Sequence, residues 1–103
     1  MVSDLEIQAL ADKIAEGFRP QKIILFGSQA EGTAREDSDV ELLVVLPFDG
    51  PAYETAADIR VTLPSSLAID VIARTPEEFA ARYARGDSFI RDVADRGRVL
   101  FAA

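Results

Sequence analysis

Two apolar runs around one polar loop, Lys22 to Phe26 and Asp39 to Leu46, constrain the fold of this chain more than any other feature. The first, KIILF, has no polar alternation, which is the pattern of a central strand covered on both sides. It runs straight into Gly27-Ser28, and ten residues later Asp39-Val40-Glu41 opens the second run. Ser28 can begin one or two helical turns over residues 29–34, and Arg35-Glu36-Asp37-Ser38 is turn-like. Pro47 and the loop Phe48-Asp49-Gly50-Pro51 end the second strand.

The remaining segments read as support for that pair. Ser3-Asp4-Leu5-Glu6 has the form of a capping box. It predicts a helix with Ile7, Leu10, Ile14 and Phe18 on one face, Gly17 as its stop and Pro20 beyond it. Pro51 or Ala52 starts a helix that carries Tyr53, Ala56, Ala57, Arg60 and Leu63 at helical spacing and ends before Pro64. Residues 67–73, LAIDVIA, predict a third strand with Leu67, Ile69 and Val71 on one face and Ala68, Asp70 and Ile72 on the other. Thr75-Pro76-Glu77-Glu78 is a second capping box, opening a helix that turns Phe79 and Tyr83 to the core and stops near Gly86. A last helix covers Ser88 to Asp95, Gly97 ends it, and Arg98 to Phe101 forms a short edge strand. The order α-β-α-β-α-β-α-α-β predicts an α/β (α+β) fold, a small mixed sheet flanked by helices, in one domain over residues 1–103.

Composition limits the chemistry. The chain has no cysteine and no histidine, so thiolates, disulfides and imidazole acid–base catalysis are excluded. Carboxylates, hydroxyls, backbone amides and basic side chains remain. A net charge of -7 opposes direct duplex nucleic-acid binding, which needs clustered Lys and Arg. The longest apolar run, Leu42 to Leu46, falls far short of the ~20 residues that span a bilayer. With no basic-then-apolar leader pattern at the N-terminus, the expected location is the cytoplasm.

Within these limits the 27–41 stretch carries a site. Gly27 lets a ligand approach the backbone, and the amides after it lack intrahelical acceptors and can bind an anion, with the Ser28 hydroxyl adding a donor. Taken alone, the dipeptide is an ordinary helix cap. On a strand Asp39 and Glu41 project from one face with Cα atoms ~6.6 Å apart, close enough for both carboxylates to meet one or two cations. Taken alone, they are a turn residue and a solvated edge side chain. Asp70 adds a third acid to the same face if its strand lies beside theirs, and like charges held together invite a divalent cation.

Gly27-Ser28, ten residues, then Asp39-Val40-Glu41, with Asp70 downstream, resembles the signature of the DNA polymerase β-like nucleotidyltransferase superfamily. By length, element order and the closing Gly97-Arg98-Val99-Leu100, the whole chain is similar to the minimal nucleotidyltransferase (MNT) proteins, many of them antitoxins. The resemblance implies two Mg²⁺ ions and a nucleoside triphosphate, with ATP the expected one, from which a nucleoside monophosphate passes to a hydroxyl. It also implies roles: Gly27 and Ser28 on the β- and γ-phosphates, Asp39 and Glu41 on both metals, Asp70 on the attacking hydroxyl. The partner it implies is a HEPN-domain toxin. Three positions depart from the pattern: Gln29 and Glu31 stand where the family tends to carry basic residues, and Glu41 where MNT proteins usually have Asp. Arg35 or Arg74 could compensate, but each reads first as an ordinary surface charge. A different class of function stays open, a binding module that keeps the fold and masks its partner; so does a purely structural subunit. The site of so small a domain must be open on one side, so the acceptor is a large partner or a second subunit completes the pocket. Tyr53 and Tyr83, the two tyrosines, could themselves accept nucleotide, but both fall at core spacing.

Overall fold

A computed structural model describes residues 2–103. Its elements are α1 (Asp4–Phe18), β1 (Lys22–Phe26), α2 (Ser28–Glu31), β2 (Val40–Val45), α3 (Ala52–Arg60), β3 (Ile69–Arg74), α4 (Pro76–Ala84), α5 (Ser88–Arg96) and β4 (Arg98–Ala102). The order is the one the sequence predicts. The four strands form one mixed sheet in the order β3-β2-β1-β4. β1 is antiparallel to β2 and to β4, whereas β2 and β3 run parallel.

The unalternating runs are explained by helices on both faces of the sheet. Ile23 and Leu25 of β1 and Val40, Leu42 and Val44 of β2 pack with Ile7, Leu10 and Ile14 of α1 and Ile59 of α3. Ile24 and Phe26 of β1 and Leu43 and Val45 of β2 point the other way, onto Ile90 and Val93 of α5, with Phe79 of α4 at the margin. Among the described residues, every buried one is apolar.

Several boundaries differ from the sequence expectation. The Ser3 capping box forms, but α1 runs through Gly17 to Phe18, and Arg19 takes the left-handed conformation at φ 49°. The following Pro20 disfavours the right-handed helical region at Arg19, so the helix cannot continue past Phe18. α2 is capped by Gly27, not by Ser28, and is only four residues long. Thr75 does cap α4 through the Glu78 amide. The Glu78 carboxylate, however, does not close a reciprocal box; it accepts from Arg82 Nε at 2.8 Å.

The largest correction concerns the two tyrosines. Tyr53 is 72% exposed and Tyr83 36% exposed, so neither is a core residue. α4 turns Phe79 inward, but Tyr83 donates to Asp95 at 2.7 Å and its ring lies 5.0 Å from the Arg91 guanidinium carbon. Helical spacing places a residue on a face; it does not say that the face is covered at that end.

Candidate active site

Residues from three adjacent strands stand in a row across the sheet. Phe26, the last residue of β1, is the register partner of Glu41, and Glu41 is the register partner of Asp70. Paired positions on neighbouring strands project from the same face, with Cβ atoms ~5 Å apart. β2 and β3 are parallel, so both acids arrive at the strand beginnings, where β1 ends. This is also the face that α4 and α5 partly cover. Asp39 lies one residue before β2 begins, at the mouth of the strand. The sequence-expected strand over residues 39–46 therefore starts one residue late.

Gly27 leaves the sheet at that row. Its backbone sits at φ 75°, ψ -157°, a region almost confined to glycine. A Cβ there would fall on Glu41 Oε2 and lie 2.9 Å from Glu41 Cδ. The Glu41 carboxylate thus fills the space that the missing side chain leaves, which links Gly27 to Glu41 directly. Behind the turn, the Ala30 and Glu31 amides both donate to the Gly27 carbonyl at 3.1 Å. The Ser28 and Gln29 amides, at the start of the helix, have no intrahelical acceptor by position.

The acids are uncompensated. Among the described residues none of Asp39, Glu41 and Asp70 joins an ion pair. Partial burial raises the Glu41 carboxyl above its ordinary range, and the negative charges of Asp70 and then Asp39 push it in the same direction. A bound cation removes that repulsion, so the donor set suits a hard divalent ion. Among the described residues, however, no three acidic side chains converge closely enough to enclose an ion by themselves. The protein offers a facing pair and a flanking acid. That fits Mg²⁺, which takes one or two carboxylates and completes its shell with water and phosphate oxygens.

The departures at 29 and 31 have structural counterparts. Gln29 Nε2 donates to the Ser38 carbonyl at 3.4 Å, tying α2 to the residue before Asp39. The same loop is closed by the Arg35 amide on Ser38 Oγ at 2.8 Å. Glu31 is ion-paired with Arg96 of α5, which also reaches Asp92 at 3.4 Å. The cation beside α2 is therefore Arg96, brought by tertiary packing from 65 residues away. Arg74 does not fill that role, because it lies four residues beyond Asp70, ~13 Å along β3. The Phe26 and Phe89 rings meet edge to face at 5.5 Å and 85°, fixing the start of α5 against this end of the sheet.

The fold and the acidic row define an α/β domain with a glycine turn, one helical turn and a paired acidic strand mouth. The model of the nucleotidyltransferase domain family matches residues 7–100. The chain belongs to that family, a class of transferases. It is 35% identical over 85 residues to the "putative protein adenylyltransferase" of Methanocaldococcus jannaschii, covering 81% of this chain and 80% of that protein. Among solved structures, a toxin–antitoxin complex with AMP-PNP contains a chain similar in fold, at TM-score 0.60 and 20% identity, over 93% of this chain and 73% of that one. A mutant MntA-HpeT toxin–antitoxin is similar at TM-score 0.58 and 18% identity, over the same shares of 93% and 73%. The structure of a "putative nucleotidyltransferase" from Sulfolobus solfataricus is similar at TM-score 0.57 and 17% identity, over 77% of this chain and 68% of that one. Among the described residues no helix is long and apolar enough to cross a membrane.

Proposed function

We propose that this protein transfers a nucleoside monophosphate, AMP from ATP, to a hydroxyl of a partner protein, as the antitoxin of a HEPN toxin pair. The observation that carries the reading is the register of Glu41 with Asp70 beneath the Gly27 turn. It joins a backbone anion site to an acidic pair in one row. Support for the adenylyl group and the protein acceptor comes from the name of the M. jannaschii relative, and for a toxin partner from the structural neighbours.

In this reading Gly27 and Ser28 hold the β- and γ-phosphates through backbone amides and the Ser28 hydroxyl. Asp39, Glu41 and Asp70 would hold two Mg²⁺ ions. Bound there, the ions supply charge neutralisation and a lowered hydroxyl pKa. Asp70, on the edge strand, takes the acceptor proton as the new oxygen–phosphorus bond forms and the bond to pyrophosphate breaks. Gln29 holds the Ser38 carbonyl and with it the approach of Asp39.

Labelled ATP, Mg²⁺ and the co-expressed partner provide the test: label should pass to the partner, and Asp39→Ala or Asp70→Asn should reduce transfer at least ~100-fold, in the range of a lost catalytic carboxylate. Transfer that persists in Asp39→Ala would sink the assignment. The second reading, a masking module without catalysis, is favoured by Glu41 leaning into the Gly27 turn, where a nucleotide would have to displace it. Saturable binding of neither Mg²⁺ nor ATP, with the partner still bound and neutralised, would select it.

A further inference from the structure

β3 is an edge strand, and its open side is built as a track. In the parallel ladder the Val40 amide donates to the Ala68 carbonyl and the Leu46 amide to the Arg74 carbonyl. Even-numbered residues of β3 therefore bond to β2, and Ile69, Val71 and Ala73 turn their amides and carbonyls outward. Two of these three carbonyls are already occupied. Arg60 Nε donates to Ile69 O at 3.1 Å, and Arg74 Nη1 donates to Ala73 O at 2.8 Å. Val71, between them, presents both its N–H and its C=O to the open edge.

Along this edge runs a groove of about 470 Å³ between β3 and α3, lined by Tyr53, Ala56, Ala57, Arg60 and every residue of β3, Asp70 included. α3 descends antiparallel to β3, ending with Arg60 at Ile69. Tyr53, seven residues earlier and ~10 Å up the helix, lies toward the Arg74 end. The groove thus has an exposed aromatic ring at one end and a candidate catalytic carboxylate at the other. It also carries two guanidinium groups on a chain whose net charge is -7. Arg74 Nε is buried without a partner.

We propose that this edge docks an extended, acidic, hydroxyl-bearing segment of the acceptor protein as a fifth strand, pairing with Val71. Alternate side chains of such a strand point to opposite faces. Those on the α3 side meet Tyr53 and the alanines. Those on the other side pass over Ile72 and Asp70, which delivers a hydroxyl to the acidic row. Arg74 recognises an acidic residue of the segment, and Arg60, whose guanidinium already donates to the Leu63, Pro64, Leu67 and Ile69 carbonyls, adds positive charge beside it. A second copy of this chain fits poorly, because antiparallel pairing of two β3 edges about Val71 sets Arg60 of each copy opposite Arg74 of the other. The proposal rests on the transfer reading for the role of Asp70, but the docking itself needs neither nucleotide nor metal.

The test uses a fluorescein-labelled peptide, Glu-Val-Glu-Val-Tyr-Val-Glu-Val, its lysine-for-glutamate counterpart, and two forms N-methylated on alternate amides along one edge or the other. Anisotropy without ATP or Mg²⁺ should show binding of the acidic peptide at least about tenfold tighter than the lysine form. Methylation of one edge should abolish binding and methylation of the other should leave it. Tyr53→Ala, at an exposed position, should weaken binding about three- to tenfold. Arg74→Glu should reverse the charge preference. Val71→Pro, which removes the outward amide without removing a ladder bond to β2, should abolish binding with the melting curve as its control. Asp39→Ala should bind the peptide like the wild type, so a failure of transfer and a failure of docking are separable. Absence of binding, equal binding of both charge forms, indifference to both methylations, or a wild-type dimer dissolved by Val71→Pro would each overturn the proposal.

Discussion

Gly27 and Glu41 are one structural unit at the residue scale. The glycine is needed twice, for a backbone region that costs other residues about 1–3 kcal/mol and for space that the Glu41 carboxylate fills. Gly27→Ala should destabilise the fold by more than ~2 kcal/mol in denaturant titrations. Combining it with Glu41→Ala should restore part of that loss, because the clash is removed while the backbone strain stays. Glu41 itself is held at a cost. Its folded-state pKa lies above the ordinary 4.5, so the folded protein resists ionising it. Above that range the carboxylate is charged in both states and only the folded state carries the repulsion; below 4.5 it is protonated in both and the penalty vanishes. Glu41→Gln should therefore raise Tm at pH 7 in chelator, with the gain fading as pH falls toward 4, measured by thermal melts across pH. Serine, aspartate and glutamate at 28, 39 and 41 were legible in the sequence. The contact between 27 and 41 was not, since it depends on how β1 and β2 pair.

Among the elements, caps were the most readable and coverage the least. Ser3 and Thr75 both cap, Ser3 with its full box and Thr75 with only its own half, because a cap is a bond between residues three apart and needs only the local chain. Asp87, not anticipated, caps α5 through the Ile90 amide at 2.9 Å and pairs with Arg82. The backbone bond, first, and Arg82 lower its pKa below the ordinary 3.8. A depressed carboxylate contributes stability above its unfolded pKa and loses it as pH falls through the folded value. Asp87→Ala should thus lower Tm at pH 6 and approach the wild-type Tm near pH 2, read by circular dichroism. Tyr53 and Tyr83 mark the opposite case. Their helical spacing matches a buried stripe, but α3 and α4 lie at the margin of the sheet, and what covers a helix face is a property of its neighbours.

For the molecule as a whole, the sheet with helices on both sides gives two cores separated by one strand layer. Leu42 and Leu43 are adjacent in sequence, fully buried, and belong to different cores. Each Leu→Ala substitution should cost about 2–5 kcal/mol in chemical denaturation, whereas Leu5→Ala, at a site 85% exposed, should stay within ~0.5 kcal/mol. The sequence by itself determined the element order and the strand covered on both faces, and it marked the acids of the candidate site, because periodicity, punctuation and residue chemistry are local. Tertiary structure alone decided that Asp70 stands in register with Glu41, that Arg96 reaches Glu31, and that the edge of β3 is open beside Tyr53. Each of these depends on strand order and helix placement, which are settled by long-range burial of apolar faces rather than by the spacing of residues along the chain.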